Sequence, residues 1–400
     1  MKRIGILTFH TSINNGAVMQ CYSLSKKLQE AFPDTKIEVI DYRMPKVEWH
    51  YDASVKRFLS GGSLKSKCVR LLSLICHPRQ LQWQKKRKAA FESVRNVLPL
   101  STKAIVDDGT QALFAYMNRS FDAVVVGSDA IWNYVVRGFP NPYFLDETVT
   151  CKKLTYAASC YGMNYEAIPQ QQKQSIGKIL DTYAFLGTRD GESEKFVGEM
   201  GCSQAPVHTC DPTVFLNVDD LPVDVKVLEK KLADRGFDFD KPTIGVMGTE
   251  QMCGMVRELY SNQYQIASVY NYCRGADVNL YDLTPYEWAY VFRYFKLVVT
   301  TYFHGTMLPL RNGIPVINIA LQTQYSQKHM TKVEDFMLRV GLRDCYFATD
   351  YKGQNYAQIK AKADELLAKD CKADICARMD REAQSHIPFI EKLREVLNED

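Results

Sequence analysis

Apolar and polar positions fall into repeating blocks along this chain. Short runs rich in β-branched residues recur. Each is followed by a polar turn, and then by a stretch whose apolar residues return every three to four positions. In the first half, RIGILTF, KIEVIDY, FDAVVVGSD, LTYAAS, AFLGTRD and PVHTC predict strands. Their near-continuous apolar character suits parallel strands covered on both faces. Ala17 to Glu30 predicts an amphipathic helix between the first two. A second set begins near Lys241, with KPTIGVMGT, QIASVYNY, LVVTT and PVINIA as strands. Tyr286 to Phe295 predicts a helix that starts near Thr284, with Pro285 in its first turn. Lys332 to Val340 predicts another, and one or two long helices run from Tyr356 to the terminus. Strands alternating with helices imply parallel sheets with right-handed crossovers.

Two such sets predict an α/β protein built from two Rossmann-like domains facing a cleft. The N-terminal Rossmann-like domain covers 1–215 and carries a basic helical insertion at 55–95. A linker at 216–240 leads to the C-terminal Rossmann-like domain at 241–370, and 371–400 forms a C-terminal helix. The cleft between the domains is the default site.

The most informative stretch is LVVTTYFHGTMLPLRNGIPVINIA, residues 297–320. It reads as strand, turn, helix, turn, strand. His304 and Gly305 fall at the carboxyl end of the strand, where the helix begins, and open α/β sheets bind ligands there. A helix amino terminus offers free N–H groups to an anion, and a histidine transfers protons near neutral pH. The same position also suits a histidine that only caps or packs.

The other strands end in polar turns too. ILTF runs into His10-Thr-Ser-Ile-Asn14-Asn15-Gly16 and then a helix. That loop can present amides and backbone N–H groups to a ligand. It is not G-x-G-x-x-G, so dinucleotide binding has no support. Ser128 and Asp129 follow Val124 to Val126. Asp129 can serve as acid or base or orient a substrate, or simply cap a helix. Arg189 follows AFLGT. Its planar fork suits a carboxylate or phosphate, and equally an internal salt bridge with Asp190 or Glu192.

Composition narrows the class. The chain has 400 residues and a formal net charge of +4, so no general affinity for nucleic acid is indicated. Its twelve cysteines show no metal-ligand spacing, and no metal is expected. Nothing resembles a secretory signal or a membrane span, so a cytoplasmic location is expected. Charge is unevenly spread. The 55–95 segment holds eleven Lys/Arg against one acid, Glu92. Basic residues interleaved with Leu, Ile, Phe and Trp fit an anionic bilayer, which would place the protein peripherally at the inner membrane face. A solvated helical face is the alternative.

Seven motifs together carry a family resemblance: GILTFHTSINNGAVMQCYSL, FDAVVVGSDAIWN, YFLD, LTYAASCYG, TRDGES, DPTVFL and TTYFHGTMLPLRNGIPVI. In this order, over Lys2 to about Leu342, the chain resembles the polysaccharide pyruvyl transferases. The resemblance implies a GT-B-like fold. It also implies transfer of the pyruvyl group of phosphoenolpyruvate onto sugar hydroxyls of a surface-polysaccharide repeat unit, such as a capsule or exopolysaccharide, forming a ketal. Phosphoenolpyruvate would be a co-substrate, with no cofactor, and the glycan acceptor would be lipid-linked. His304 and Asp129 are then the catalytic candidates. Arg189, Lys328, Gly305, Tyr302, Asn14, Asn15, Gly16 and Ser128 are the substrate-binding candidates, with the residues of the amino-terminal domain on the acceptor side.

One departure stands out. Many relatives have arginine where this chain has Tyr302. A doubly anionic donor needs paired cations, and Arg189, Lys328, Arg311 and Arg274 are those available. Two other readings compete. One is a GT-B nucleotide-sugar glycosyltransferase, although TYFHG offers no acid to hold a ribose. The other is a non-catalytic glycan-binding relative, favoured by Tyr302.

Overall fold

The computed structural model describes residues 1–45, 63, 68, 79–95, 97–107, 109–133, 138–260, 263–321 and 329–399. Two six-stranded sheets, parallel throughout, form the two halves of the protein. The first contains β1 (Arg3–Leu7), β2 (Lys36–Val39), β5 (Ala123–Asp129), β6 (Lys152–Ala158), β7 (Phe185–Thr188) and β8 (Val207–His208), in the order β2-β1-β5-β6-β7-β8. The short strands β3 (Tyr42–Arg43) and β4 (Ile105–Val106) pair beside it. The second contains β9 (Thr243–Met247), β10 (Gln265–Val269), β11 (Val278–Leu280), β12 (Leu297–Thr300), β13 (Val316–Leu321) and β14 (Tyr346–Thr349), in the order β11-β10-β9-β12-β13-β14.

These strands are buried along almost their whole length, as their unbroken apolar runs require. In each sheet the strand order reverses beside the first strand, between β1 and β5 and between β9 and β12. A crevice opens at such a reversal, outside the carboxyl ends of the strands. The loops and helix starts after β1, β5 and β12, which flank these reversals, carry Asn14, Asn15, Tyr302 and His304 among the predicted site residues.

The helices are α1 (Asn15–Ala31), α2 (Arg79–Arg95), α3 (Gln111–Ser120), α4 (Gln170–Leu180), α5 (Gly191–Glu199), α6 (Val225–Ala233), α7 (Glu250–Tyr260), α8 (Pro285–Val291), α9 (Phe303–Arg311), α10 (Lys332–Arg339), α11 (Tyr356–Leu367), α12 (Lys372–Ala383) and α13 (Ile387–Asn398). Local chemistry fixes several starts. Asn14 caps α1 by accepting from the Gly16 and Ala17 amides. Thr284 and Glu287 form a reciprocal capping box at α8, with Pro285 in the first turn. Thr331 caps α10 through the Glu334 amide.

Some elements depart from the sequence pattern. The 216–240 stretch, read as a linker, contains α6, whose Leu228 and Leu232 are buried. The short edge strands β11 and β14 were too brief to stand out. The last thirty residues form two helices, and α13 crosses back onto the first sheet. There Phe389 is fully buried against Tyr156 and Phe185. Of the basic 55–95 segment, residues 63, 68 and α2 are described. Phe91 and Val94 of α2 are buried in the protein. Among the described residues no helix is long and apolar enough to cross a membrane.

The two halves are not loosely joined. One apolar cluster runs without a break from Ile4 and Met19 through Tyr286 to the second sheet. Tyr22 of α1 meets Tyr286 of α8 edge to face, with ring centroids 5.1 Å apart. Polar clamps reinforce it. The Gly191 amide at the start of α5 donates to Asp335 of α10, and Arg339 donates to the Arg189 carbonyl. Because α13 ties the chain end to the first sheet, Phe389→Ala should destabilise the whole protein by about 3–5 kcal/mol. Urea denaturation followed by circular dichroism measures this; a loss below about 1 kcal/mol would show that the final helix is peripheral to the core.

Candidate active site

The loops after β1, β5, β7 and β12 meet at the junction of the two sheets. Arg189 follows β7 and is almost fully buried. Its Nη1 donates to Asp211 Oδ2 at 3.0 Å, and its Nη2 lies 3.9 Å from Asp129 Oδ1. Its guanidinium also lies 4.7 Å from the centre of the Phe303 ring. His304, in the first turn of α9, brings Nε2 to 3.3 Å from the same Asp211 oxygen. That contact lacks hydrogen-bond geometry, so Nε2 has no hydrogen-bond partner among the described residues. An arginine and an aspartate of the first half and a histidine of the second thus share one buried cluster.

Charge is tightly balanced in it. Burial alone would raise the Asp211 carboxyl, but His304 and Arg189 outweigh it and hold Asp211 well below the usual carboxylate range. Burial likewise opposes ionisation of Asp129, and Arg189, Lys332 and His304 reverse the effect. Burial weakens the Arg189 charge, yet Asp211, Asp129 and Asp190 more than restore it. Lys332, at the start of α10, lies with its ammonium 4.8 Å from the Tyr161 ring centre and 5.4 Å from that of Phe303. Burial and the neighbouring Arg189 lower it to about 8, against the partial support of Asp129, Asp190 and Asp211.

The loop after β1 touches this cluster directly. A Cβ on Gly16 would stand 1.9 Å from His304 Nδ1. Only glycine lets the start of α1 lie flat on the imidazole. Asn14 is committed to capping, while the buried Asn15 Oδ1 has no hydrogen-bond partner among the described residues. Asp129 ends β5 in the left-handed region, at φ +104°, a conformation that costs a non-glycine residue of order 1 kcal/mol or more. It accepts from the Ala130 amide and from Gln20 Nε2.

Other candidates sit elsewhere. The Ser128 hydroxyl is buried and donates to Gln20 Oε1, and the same Gln20 amide donates to Asp129. A Cβ on Gly305 would meet Thr300 and Met247, so this glycine serves helix-to-sheet packing. Tyr302 points to the rim, with its ring beside Tyr270 and its hydroxyl near Asn271. Lys328 lies outside the described residues. Arg311 is held by the Leu216 carbonyl and Asp380, and Arg274 is exposed on the surface. Arg189 pairs with Asp211, not with Asp190 or Glu192. Lys332 escaped notice four residues beyond Lys328. The T-x-x-E cap at Thr331 and Glu334 was the available signal, since it fixes Lys332 in the first turn of a helix. Among the described residues no group of three or more His, Cys, Asp or Glu is disposed to hold a metal ion.

Comparison with known proteins adds to this geometry. Residues 14–323 match the family described as polysaccharide pyruvyl transferase. No curated protein sequence matches the chain. Among solved structures, the UDP-GlcNAc 2-epimerase from Methanocaldococcus jannaschii superposes with a TM-score of 0.53 at 9% identity, covering 97% of this chain and 99% of that one. The UDP-GlcNAc 2-epimerase from Neisseria meningitidis superposes with a TM-score of 0.52 at 8% identity, covering 99% and 100%. At such identities the likeness concerns the fold alone, two Rossmann-like domains of GT-B type.

The contact between Gly16 and the imidazole yields a test. Gly16→Ala should force His304 or α1 to move and destabilise the protein by about 1–3 kcal/mol. Thermal and urea unfolding measure it; an unchanged midpoint would mean that the two halves do not approach here as closely as described.

Proposed function

The chain belongs to the polysaccharide pyruvyl transferase family, and on that premise we propose that it transfers the pyruvyl group of phosphoenolpyruvate to a glycan, forming a cyclic ketal and releasing phosphate. One observation carries the reading. At the junction Arg189 Nε and Nη2 and His304 Nε2 are buried without hydrogen-bond partners among the described residues. Such orphaned groups are rare in folded proteins, and each costs about 1–3 kcal/mol of desolvation, more when charged. Beside them Tyr302, the residue preceding α9, forms no side-chain cap, so the first amides of that helix stay available. Two donors on a guanidinium, an imidazole, an ammonium and a helix amino terminus suit a small molecule bearing a phosphate and a carboxylate.

In this reading Arg189 and Lys332 hold the donor's anionic groups, and Lys332 supplies the cation missing at Tyr302. His304 protonates the terminal methylene as a sugar hydroxyl adds to the middle carbon. A second hydroxyl then displaces phosphate, closing the ketal. Of the two hydroxyl protons, one balances that gained by the methylene and the other leaves with phosphate. Asp129 and the Asn14–Gly16 loop orient the acceptor, a glycan of surface-polysaccharide type.

His304→Ala should lower phosphate release about 100- to 10,000-fold while leaving the protein folded. Phosphoenolpyruvate at about 100 times its dissociation constant should stabilise the wild type by about 2.7 kcal/mol, and UDP-sugars should not. Stabilisation by UDP-sugars alone would favour a nucleotide-sugar glycosyltransferase instead.

Lys332 adds a pH signature. In the free protein it releases its proton near pH 8, below the ordinary lysine value of 10.5. A bound dianion favours the charged form, so binding above pH 8 must take up a proton. Affinity for phosphoenolpyruvate should therefore fall as pH rises above about 8, up to tenfold per unit. Lys332→Met should bind weakly with no such slope. Calorimetric titration between pH 7 and 10 decides, and a flat wild-type profile would remove Lys332 from the donor site.

A further inference from the structure

One buried amide connects the two sides of the site. Gln20 lies one turn beyond Gly16, so both occupy the same face of α1. Gly16 meets the His304 imidazole. Gln20 is fully buried and reaches the end of β5. Its Nε2 donates to Asp129 Oδ2 at 3.2 Å and to the Ser128 carbonyl at 3.5 Å. A carboxylate and a carbonyl only accept, so the amide nitrogen must face them and Oε1 must face the Ser128 hydroxyl. That hydroxyl donates to Oε1 at 2.8 Å. The direction of the amide is therefore fixed. The Ser128 carbonyl has a second donor, the Thr8 hydroxyl at 3.1 Å, so the carboxylate is the partner that depends most on Gln20.

Asp129 is held back from a partner that attracts it. Burial opposes its charge, and Arg189, Lys332 and His304 outweigh burial and keep it ionised. Yet Asp129 Oδ1 stays 3.9 Å from Arg189 Nη2. That is about 1 Å beyond a charge-assisted hydrogen bond. Nη2 is buried and has no hydrogen-bond partner among the described residues. Arg189 itself is turned to Asp211 through Nη1. On the other side, Asp129 Oδ1 accepts from the Ala130 amide at 2.7 Å, and Oδ2 accepts from Gln20. The Ala130 amide is the next peptide and moves with Asp129. Gln20 is the anchor that comes from a separate element. The backbone of Asp129, at φ +104°, also persists only where its surroundings hold it.

We propose that Gln20 is a positioning residue that tethers Asp129 away from Arg189, leaving Nη2 open to the anionic donor and the carboxylate open to the acceptor's hydroxyls. The inference rests on the placement of donor and acceptor proposed above. Without the tether the carboxylate closes on Nη2. A single internal ion pair then occupies the guanidinium and turns the carboxylate from the acceptor. Because Gly16 and Gln20 share one helix face, α1 sets the donor's imidazole and the acceptor's carboxylate at a fixed spacing.

The test is a double-mutant cycle on the full chain, read by calorimetric titration with phosphoenolpyruvate at pH 7. Gln20→Met keeps the length of the side chain but cannot donate. It should bind phosphoenolpyruvate about 10- to 100-fold more weakly than the wild type, the effect of losing one hydrogen bond to a charged group. Gln20→Asn, whose amide falls one methylene short, should behave alike and serves if the methionine variant fails to fold. In Asp129→Gly no carboxylate can close on Nη2, and glycine accepts the left-handed backbone. Adding Gln20→Met to that variant should change the affinity less than twofold. A merely structural glutamine would weaken binding equally in both backgrounds. Wild-type affinity in Gln20→Met and Gln20→Asn, or equal losses with and without Asp129, overturns the tether. A crystal structure of Gln20→Met decides without any ligand. Asp129 should lie within about 3 Å of Nη2, and a gap still near 3.9 Å overturns the proposal. A wild type that does not bind phosphoenolpyruvate sinks the donor reading, and that structure still decides the tether.

Discussion

The buried contact among Arg189, Asp211 and His304 organises this protein. It sets an arginine and a histidine of opposite halves around one carboxylate, in a place that water barely reaches. A buried ion pair rarely adds net stability, because desolvation offsets most of the Coulomb gain. Here the pairing is also incomplete, since both side chains keep nitrogens without hydrogen-bond partners among the described residues.

The surrounding structure keeps that cluster in register. The continuous apolar contact between the halves and the helix-to-helix clamp of Asp335 and Arg339 hold the sheets face to face. Gly16 permits the last approach, where α1 meets the imidazole. Domain interfaces that are large and apolar resist hinge motion, so much of the site's geometry is built in before any ligand arrives.

The fold was largely legible in the sequence. Buried parallel strands must be apolar on both faces, and the long ones announce themselves. The short edge strands β11 and β14 did not, because three or four residues carry too little pattern. The 216–240 stretch misled because its mixed charges mask two buried leucines of α6. The site was legible in part. His304, Arg189 and Asp129 were singled out because each follows a strong strand, where open sheets bind ligands, and the structure brings the three together. Ser128 and Gly305 share that location, yet their atoms are spent on the scaffold. Strand-end position selects a neighbourhood, not a direction.

The sequence by itself determined the two sets of strands, the helix caps and the turns that carry polar residues, since these depend on neighbours a few positions apart. Only the tertiary structure decided which of those residues meet. That Arg189 turns to Asp211, that His304 lies on Gly16, and that the Lys332 ammonium lies beside the Tyr161 ring are contacts between segments from about 20 to almost 300 residues apart. Such contacts follow from how the two sheets dock, and docking is set by the summed packing of many apolar side chains. No local pattern encodes that sum.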